Sequence, residues 1–220
     1  MRWTKIDETT RPDHFYLEEG DSCYHLREYF ARKGYQGGET NQLILNLKIA
    51  PSVATANQKR GYWKEQAITR CAADLRGSMS REVVEKVTWV PVPPSSAVGE
   101  PDYDDRLLRV LRRAFGGYNV DIRELLRQRE STIPDHKAND RISMDALRDI
   151  LAIDHAVVEA RPLGERIVLF DDVLTSGKHF KCCEYRIREA LPDGPPVVGM
   201  FIARSVRSSP FEEFAALDDQ

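Results

Sequence analysis

The sequence predicts an α/β fold, a mostly parallel central sheet flanked by helices, with an added N-terminal segment. Three observations carry that prediction. Short apolar runs such as Ile167-Val168-Leu169-Phe170 do not alternate with polar residues, which suits strands buried on both faces. Between such runs lie longer stretches whose apolar residues recur at helical spacing. Strand-like and helix-like stretches take turns along the chain, separated by Gly and Pro, as in a parallel sheet with helical crossovers. The chain has 220 residues. That length fits one α/β domain over residues 61–220, with residues 1–60 packed on it as an extension.

The elements follow in order. Residues 22–32 read as a short helix rich in aromatics, with Tyr24, Tyr29 and Phe30. Residues 42–49 read as a strand, because Leu43, Leu45, Leu47 and Ile49 fall on one face and Pro51 stops them. A loop of small polar residues reaches Gly61. Residues 63–76 form an amphipathic helix with Ala67, Ile68, Cys71, Ala72 and Leu75 on one stripe and Gly77 as its stop. Residues 86–92 form a strand ended by Pro93 and Pro94. Residues 104–115 form a second helix, ended by Gly116-Gly117. A strand is expected over 120–126, a polar loop over 131–141, and a helix over 144–151 with Ser143 as its cap. The last elements are a strand over 166–170, a helix from Gly177 to Leu191 and a strand over 197–203.

Composition narrows the function classes. Apolar residues make up 41% of the chain, too many for a disordered tail. The net charge of -3 argues against bulk electrostatic capture of nucleic acid. No apolar run approaches the roughly eighteen residues that span a bilayer. The first residues have no apolar stretch behind their charges, so no secretory signal is read there. The expectation is a cytoplasmic protein without a membrane partner. Cys23, Cys71, Cys182 and Cys183 contain no CxxC pair and lack zinc-ligand spacing, so they read as reduced thiols packed as small apolar groups.

The stretch from Glu165 to Leu191 carries the chemistry. Its apolar strand runs into two carboxylates, Asp171 and Asp172, and Thr175-Ser176-Gly177 then opens a helix. Acids and turn therefore share the C-terminal edge of a strand, where open parallel sheets bind ligands. A helix N-terminus offers unpaired N–H groups and partial positive charge to a phosphate, and Thr175 and Ser176 add hydroxyls. The acids would repel a phosphate unless they serve sugar hydroxyls or waters on Mg²⁺. A ligand with both phosphate and sugar hydroxyls is the reading that uses every part. The plain alternative is a pair of polar residues leaving a strand, with the turn as a helix cap. A GxxxxGK[ST] phosphate loop is excluded, because Asp172 stands where its first glycine belongs.

The run IVLFDDVLTSGKHF resembles the phosphoribosyl-pyrophosphate (PRPP) motif of type I phosphoribosyltransferases: four apolar residues, two acids, two apolar residues, then Thr-Thr/Ser-Gly. Trp89-Val90-Pro91-Val92-Pro93-Pro94-Ser95-Ser96 stands where the ComF-like branch of that family has a V-P-V-P strand. The basic stretch with Arg127, Arg129, Lys137 and Arg141 is similar to that branch's R-x-R-x-T…R segment. The resemblance covers about residues 60–205. The chain departs from it at Lys178-His179, where many members keep a small residue and a Thr. It departs again at Asp102-Tyr103-Asp104-Asp105-Arg106-Leu107, where relatives have R-G-F-N-Q and only an Arg at a helix start survives.

The resemblance implies roles for these residues. Asp171 and Asp172 would address the ribose hydroxyls, directly or through Mg²⁺. Val173, Leu174, Thr175, Ser176, Gly177, Lys178 and His179 would wrap the 5′-phosphate. Pro94, Ser95, Ser96, Arg127, Arg129 and Arg141 would face pyrophosphate. The implied activity is Mg²⁺-dependent transfer of phosphoribose from PRPP to an acceptor with release of pyrophosphate. The alternative is a catalytically inactive sensor of PRPP or a nucleotide, or an accessory protein of a bacterial multi-gene system. The N-terminal segment or the stretch 131–153 is the expected place for acceptor contacts, and the N-terminal segment that for a homodimer interface or a partner protein.

Overall fold

The protein is described from a computed structural model, which covers residues 1–131 and 142–206. In chain order the elements are β1 (Thr4–Lys5), β2 (Cys23–Phe30), α1 (Glu39–Leu47), α2 (Pro51–Ala56), α3 (Gln58–Gly77) and α4 (Arg81–Glu85). Then follow β3 (Thr88–Pro91), α5 (Arg106–Ala114), β4 (Asp121–Ile122), β5 (Leu126–Gln128), α6 (Met144–Ile150) and β6 (Leu151–Ile153). The last are α7 (His155–Glu159), β7 (Ile167–Leu174), α8 (Lys178–Ala190) and β8 (Val197–Val206).

Six strands form one sheet in the order β1-β2-β8-β7-β3-β4 among the described residues. Every neighbouring pair is parallel except β1 with β2. The predicted α/β class with a mostly parallel, helix-flanked sheet therefore holds. β5 and β6 make a separate antiparallel pair.

The N-terminal third differs from the sequence expectation. Residues 22–32 are a strand rather than a helix, because Cys23, His25 and Arg27 alternate into the interior and the backbone pairs with β8. Arg27 is tolerated inside because Asp74 of α3 accepts from its guanidinium at 2.7 Å. Residues 42–49 fall in a helix rather than a strand. Leu43, Ile44 and Leu47 are its core positions, at i, i+1 and i+4, and Leu45 is only half-buried. Asn41 fixes this helix to the end of β2: its amide accepts from the Phe30 N–H at 2.9 Å and donates to the Phe30 carbonyl at 2.8 Å. The expected loop up to Gly61 contains α2 and the start of α3. Pro51 opens α2, and the Asn57 side chain caps α3 by accepting from the Arg60 N–H at 3.1 Å. Residues 1–60 thus supply two strands of the main sheet and the helix α1 beside it.

From α3 onward the expected elements recur, but α4, β6 and α7 have no counterpart in the sequence reading, and the loop expected over 131–141 lies, past residue 131, outside the described residues. The stretch 120–126 divides into β4 and the start of β5. The strand expected to end at Phe170 runs on to Leu174, because the long β8 continues to pair with it as far as Leu174 opposite Arg204. Asp171 and Asp172 therefore lie inside β7 rather than beyond it.

Aromatic packing holds the centre. Trp89 of β3 meets Phe115 at 4.9 Å and Phe170 of β7 at 6.2 Å between ring centroids. Phe180 of α8 meets Phe201 of β8 edge-on at 6.2 Å. All five rings are fully buried, and each stabilises the fold by about 1.5–3 kcal/mol relative to exposure. The four cysteines are buried free thiols, and burial raises the pKa of each. No helix among the described residues is long and apolar enough to cross a membrane.

The topology places a crevice. β3 is parallel to both its neighbours, β4 and β7. The chain leaves β3 through α5 to reach β4 on one side, whereas β7 lies on the other. Loops leaving β3 and β7 diverge, and the C-terminal ends of these two strands border the gap that such sheets use for ligands.

Candidate functional site

Asp171 and Asp172 are neighbours in β7, so their side chains leave on opposite faces of the sheet. Asp172 is 3% exposed and turns toward α1 and α5. Arg106, in the first turn of α5, donates to its Oδ2 through Nε at 3.0 Å and Nη2 at 2.7 Å. Lys48, just past α1, lies 3.0 Å from its Oδ1. Both carboxylate oxygens are thus held by cations, which keep the Asp172 carboxyl well below its ordinary pKa against the cost of burial. Arg106 also donates to Asp104 at 3.0 Å. Asp104 accepts from the buried Lys64, whose ammonium donates further to the Leu47 and Ile49 carbonyls and ties the end of α1 to α3.

Asp171 is half-buried, and its Oδ1 accepts from the Asp172 backbone N–H at 2.7 Å. No cationic side chain among the described residues lies within ion-pairing distance of it. Burial and the neighbouring Asp172 charge push its pKa upward, only partly opposed by Lys48 and Arg106. Two adjacent acids of like sequence therefore differ in state. One is a locked carboxylate and the other is poised to carry a proton.

The turn after β7 has the predicted shape. Gly177 sits at φ +84°, in the left-handed region, and caps the 13-residue helix α8. Thr175 is exposed and Ser176 half-buried. An N-terminal strap covers the other side of the turn. The Tyr16 N–H donates to the Ser176 carbonyl at 2.8 Å, and His14 Nδ1 donates to the Thr175 carbonyl. A carbonyl can only accept, so Nδ1 carries the proton; burial lowers the His14 pKa and favours this neutral form. A β-carbon on Gly177 would stand 2.9 Å from Leu17 Cδ2. The close approach that glycine permits here is to Leu17 of the strap. The strap occupies carbonyl oxygens of the turn, not its N–H groups. Lys178 turns inward and donates to the Ile142 carbonyl at 2.9 Å, whereas His179 is exposed.

The residues expected to face pyrophosphate are brought together in part. Pro94, Ser96 and Arg127 line one small cavity at the exit of β3. Most of its lining is apolar, with Asp104, Asp105 and Glu124 as its acids, and Asp104 is paired with Lys64 and Arg106. Arg127 pairs with Asp154 at 2.8 Å. The Ser95 carbonyl accepts from Gln128 at 2.8 Å. Arg129 is exposed, and Arg141 and Lys137 lie outside the described residues.

Sequence reasoning missed Lys48, Lys64 and His14. Lys48 follows a helix that had been read as a strand, Lys64 lies in an expected helix but outside its apolar stripe, and His14 had no recognisable motif around it. Arg106 was visible only as an Arg at a helix start. No group of three or more His, Cys, Asp or Glu that could hold a metal is found among the described residues. With both Asp172 oxygens occupied and Asp171 on the opposite face, the two acids as arranged do not form a shared cradle for Mg²⁺.

No family model matches this chain, and no curated protein is significantly similar to it.

Proposed function

We propose that the chain binds a ribose 5-phosphate ligand, PRPP or a nucleotide, at the C-terminal ends of β3 and β7. The observation that carries this reading is the continuity of β7 into its turn. A poised acid in the strand, Asp171, is followed four residues later by Thr175-Ser176-Gly177, which opens α8 beside the strand-order reversal. In this reading the phosphate takes the N–H groups at the start of α8 and the hydroxyls of Thr175 and Ser176. Asp171 accepts from, or donates to, the ribose hydroxyls according to its protonation. Lys48 and Arg106 supply positive charge on the other side of the crevice.

The reaction this arrangement supports is attack of a nitrogen nucleophile on C1 of the phosphoribosyl group as pyrophosphate leaves. Its transition state has oxocarbenium character, so the protein contributes position and charge rather than a covalent intermediate. The acid pair does not offer Mg²⁺ two carboxylates on one face.

A specific observation favours a second reading, a sensor that binds the ligand without transfer. Asp105 and Glu124 line the cavity at the exit of β3, and the Arg127 that shares it is paired with Asp154, an arrangement that disfavours a leaving pyrophosphate. One pair of measurements separates the two. Calorimetric titration with PRPP is expected to show saturable binding that is lost in Asp171→Ala. Pyrophosphate release over a panel of nucleobases then marks an enzyme, and its absence with every base marks a sensor. No binding of PRPP or of any nucleotide would overturn both.

A further inference from the structure

A connected polar cluster surrounds Asp172. On this face of the sheet stand two carboxylates, Asp104 and Asp172. Arg106 bridges them, and Lys48 and Lys64 close the two ends. Asp104, Asp172 and Arg106 are largely buried, whereas the Lys48 side chain is 34% exposed. Asp172 would be the natural first ligand of a divalent cation at this edge, and protein side chains already satisfy it. We propose that Lys48 and Arg106 stand in place of a divalent metal, making the crevice a metal-independent site for the diphosphate or phosphate group of its ligand.

The donor count supports this. An ammonium has three N–H donors and a guanidinium five. Lys48 spends one on Asp172. Arg106 spends two on Asp172 and one on Asp104. Both therefore retain donors while held in place by the acids. A hydrated Mg²⁺ brought to the same spot would lie against two fixed positive charges. A phosphate brought there instead meets three cations, Lys48, Lys64 and Arg106, against the two carboxylates of Asp104 and Asp172 on this face of the sheet.

This inference deepens the ribose-phosphate reading and rests on it for the identity of the ligand, but its metal arm needs no ligand. In that arm Mn²⁺ is titrated into the protein and free Mn²⁺ is followed by electron paramagnetic resonance. The wild type is expected to take up none saturably; saturable uptake that disappears in Asp172→Asn overturns the proposal. In the ligand arm PRPP is titrated in EDTA and in excess Mg²⁺, with equal affinity expected. Lys48→Met should weaken binding on the order of tenfold or more, the value of one charge-assisted contact, with no rescue by Mg²⁺. Lys48→Arg should retain most of the affinity and serves as the folded control. Binding that requires Mg²⁺, or an unchanged affinity in Lys48→Met, overturns the proposal. Failure of PRPP to bind in either medium instead sinks the ribose-phosphate reading and leaves the Mn²⁺ result to decide the metal question.

Discussion

Asp171 and Asp172 illustrate how far a strand can separate two identical neighbours. One turns onto Arg106 and Lys48 and is kept ionised; the other turns away from them and is pushed toward its protonated form. Their contributions to stability have opposite pH dependence. An acid whose folded pKa is depressed stabilises the fold above its ordinary value and loses that stabilisation as pH falls through the folded value. Asp172 therefore contributes fully at neutral pH and fails only on the acid side of 3.8. An acid whose folded pKa is raised binds more protons folded than unfolded, so stability falls as pH climbs from the ordinary value through the folded one. Asp171→Asn should raise the melting temperature at and above neutral pH, with the gain shrinking to nothing below 3.8. A gain of equal size at every pH would contradict the assignment. Asp172→Ala leaves Lys48 without its carboxylate and Arg106 with Asp104 alone. It is expected to cost about 3–5 kcal/mol in urea unfolding at neutral pH.

At the scale of elements, the turn between β7 and α8 is under two constraints at once. Gly177 needs its left-handed φ, and it needs no β-carbon because Leu17 of the strap lies against it. Gly177→Ala should cost about 1–2 kcal/mol for the backbone alone, with the clash added. Adding Leu17→Ala should recover the clash part only, and full recovery in the double variant would mean that φ is not the issue. The same turn shows what the sequence made legible. An apolar run, two acids and a Thr-Ser-Gly start to a helix are local signals; the run and the helix start sit where local reasoning puts them, whereas the acids lie inside the strand because pairing with β8 extends it. The strap is not local: 161 residues separate His14 from the Thr175 carbonyl it bonds. The helix–strand exchange in the N-terminal third has a similar cause. β2 buries His25 and Arg27, polar residues that hide its period of two, and their tolerance depends on partners such as Asp74 far along the chain. In α1 the leucines at 43, 45 and 47 imitate a strand, and only burial of Ile44 with Leu43 and Leu47 reveals the helical face.

For the whole molecule, the position of β2 in the sheet decides whether the first residues are dispensable. β2 pairs with β8 from Cys23 opposite Gly199 to Phe30 opposite Val206, over most of the length of both strands. Removing residues 1–32 would strip β8 of that partner and leave a long apolar edge open to pairing with other chains. It would also remove His14 and Leu17 from the turn that precedes α8. The truncated chain 33–220 is therefore expected to lose cooperative thermal unfolding and to aggregate, as read by circular dichroism and light scattering. A cooperative, monomeric melt from that fragment would show that the sheet tolerates β8 as an edge and that β1 and β2 are accessory after all. Lys48 belongs to the same argument, although it survives this truncation. α1 is fastened to the end of β2 by the two Asn41 bonds to Phe30 and to α3 by Lys64. Loss of β2 removes the first of these anchors, so Lys48 would lose its register on Asp172. A folded fragment that still bound PRPP with wild-type affinity would break the link between the N-terminal strands and the crevice.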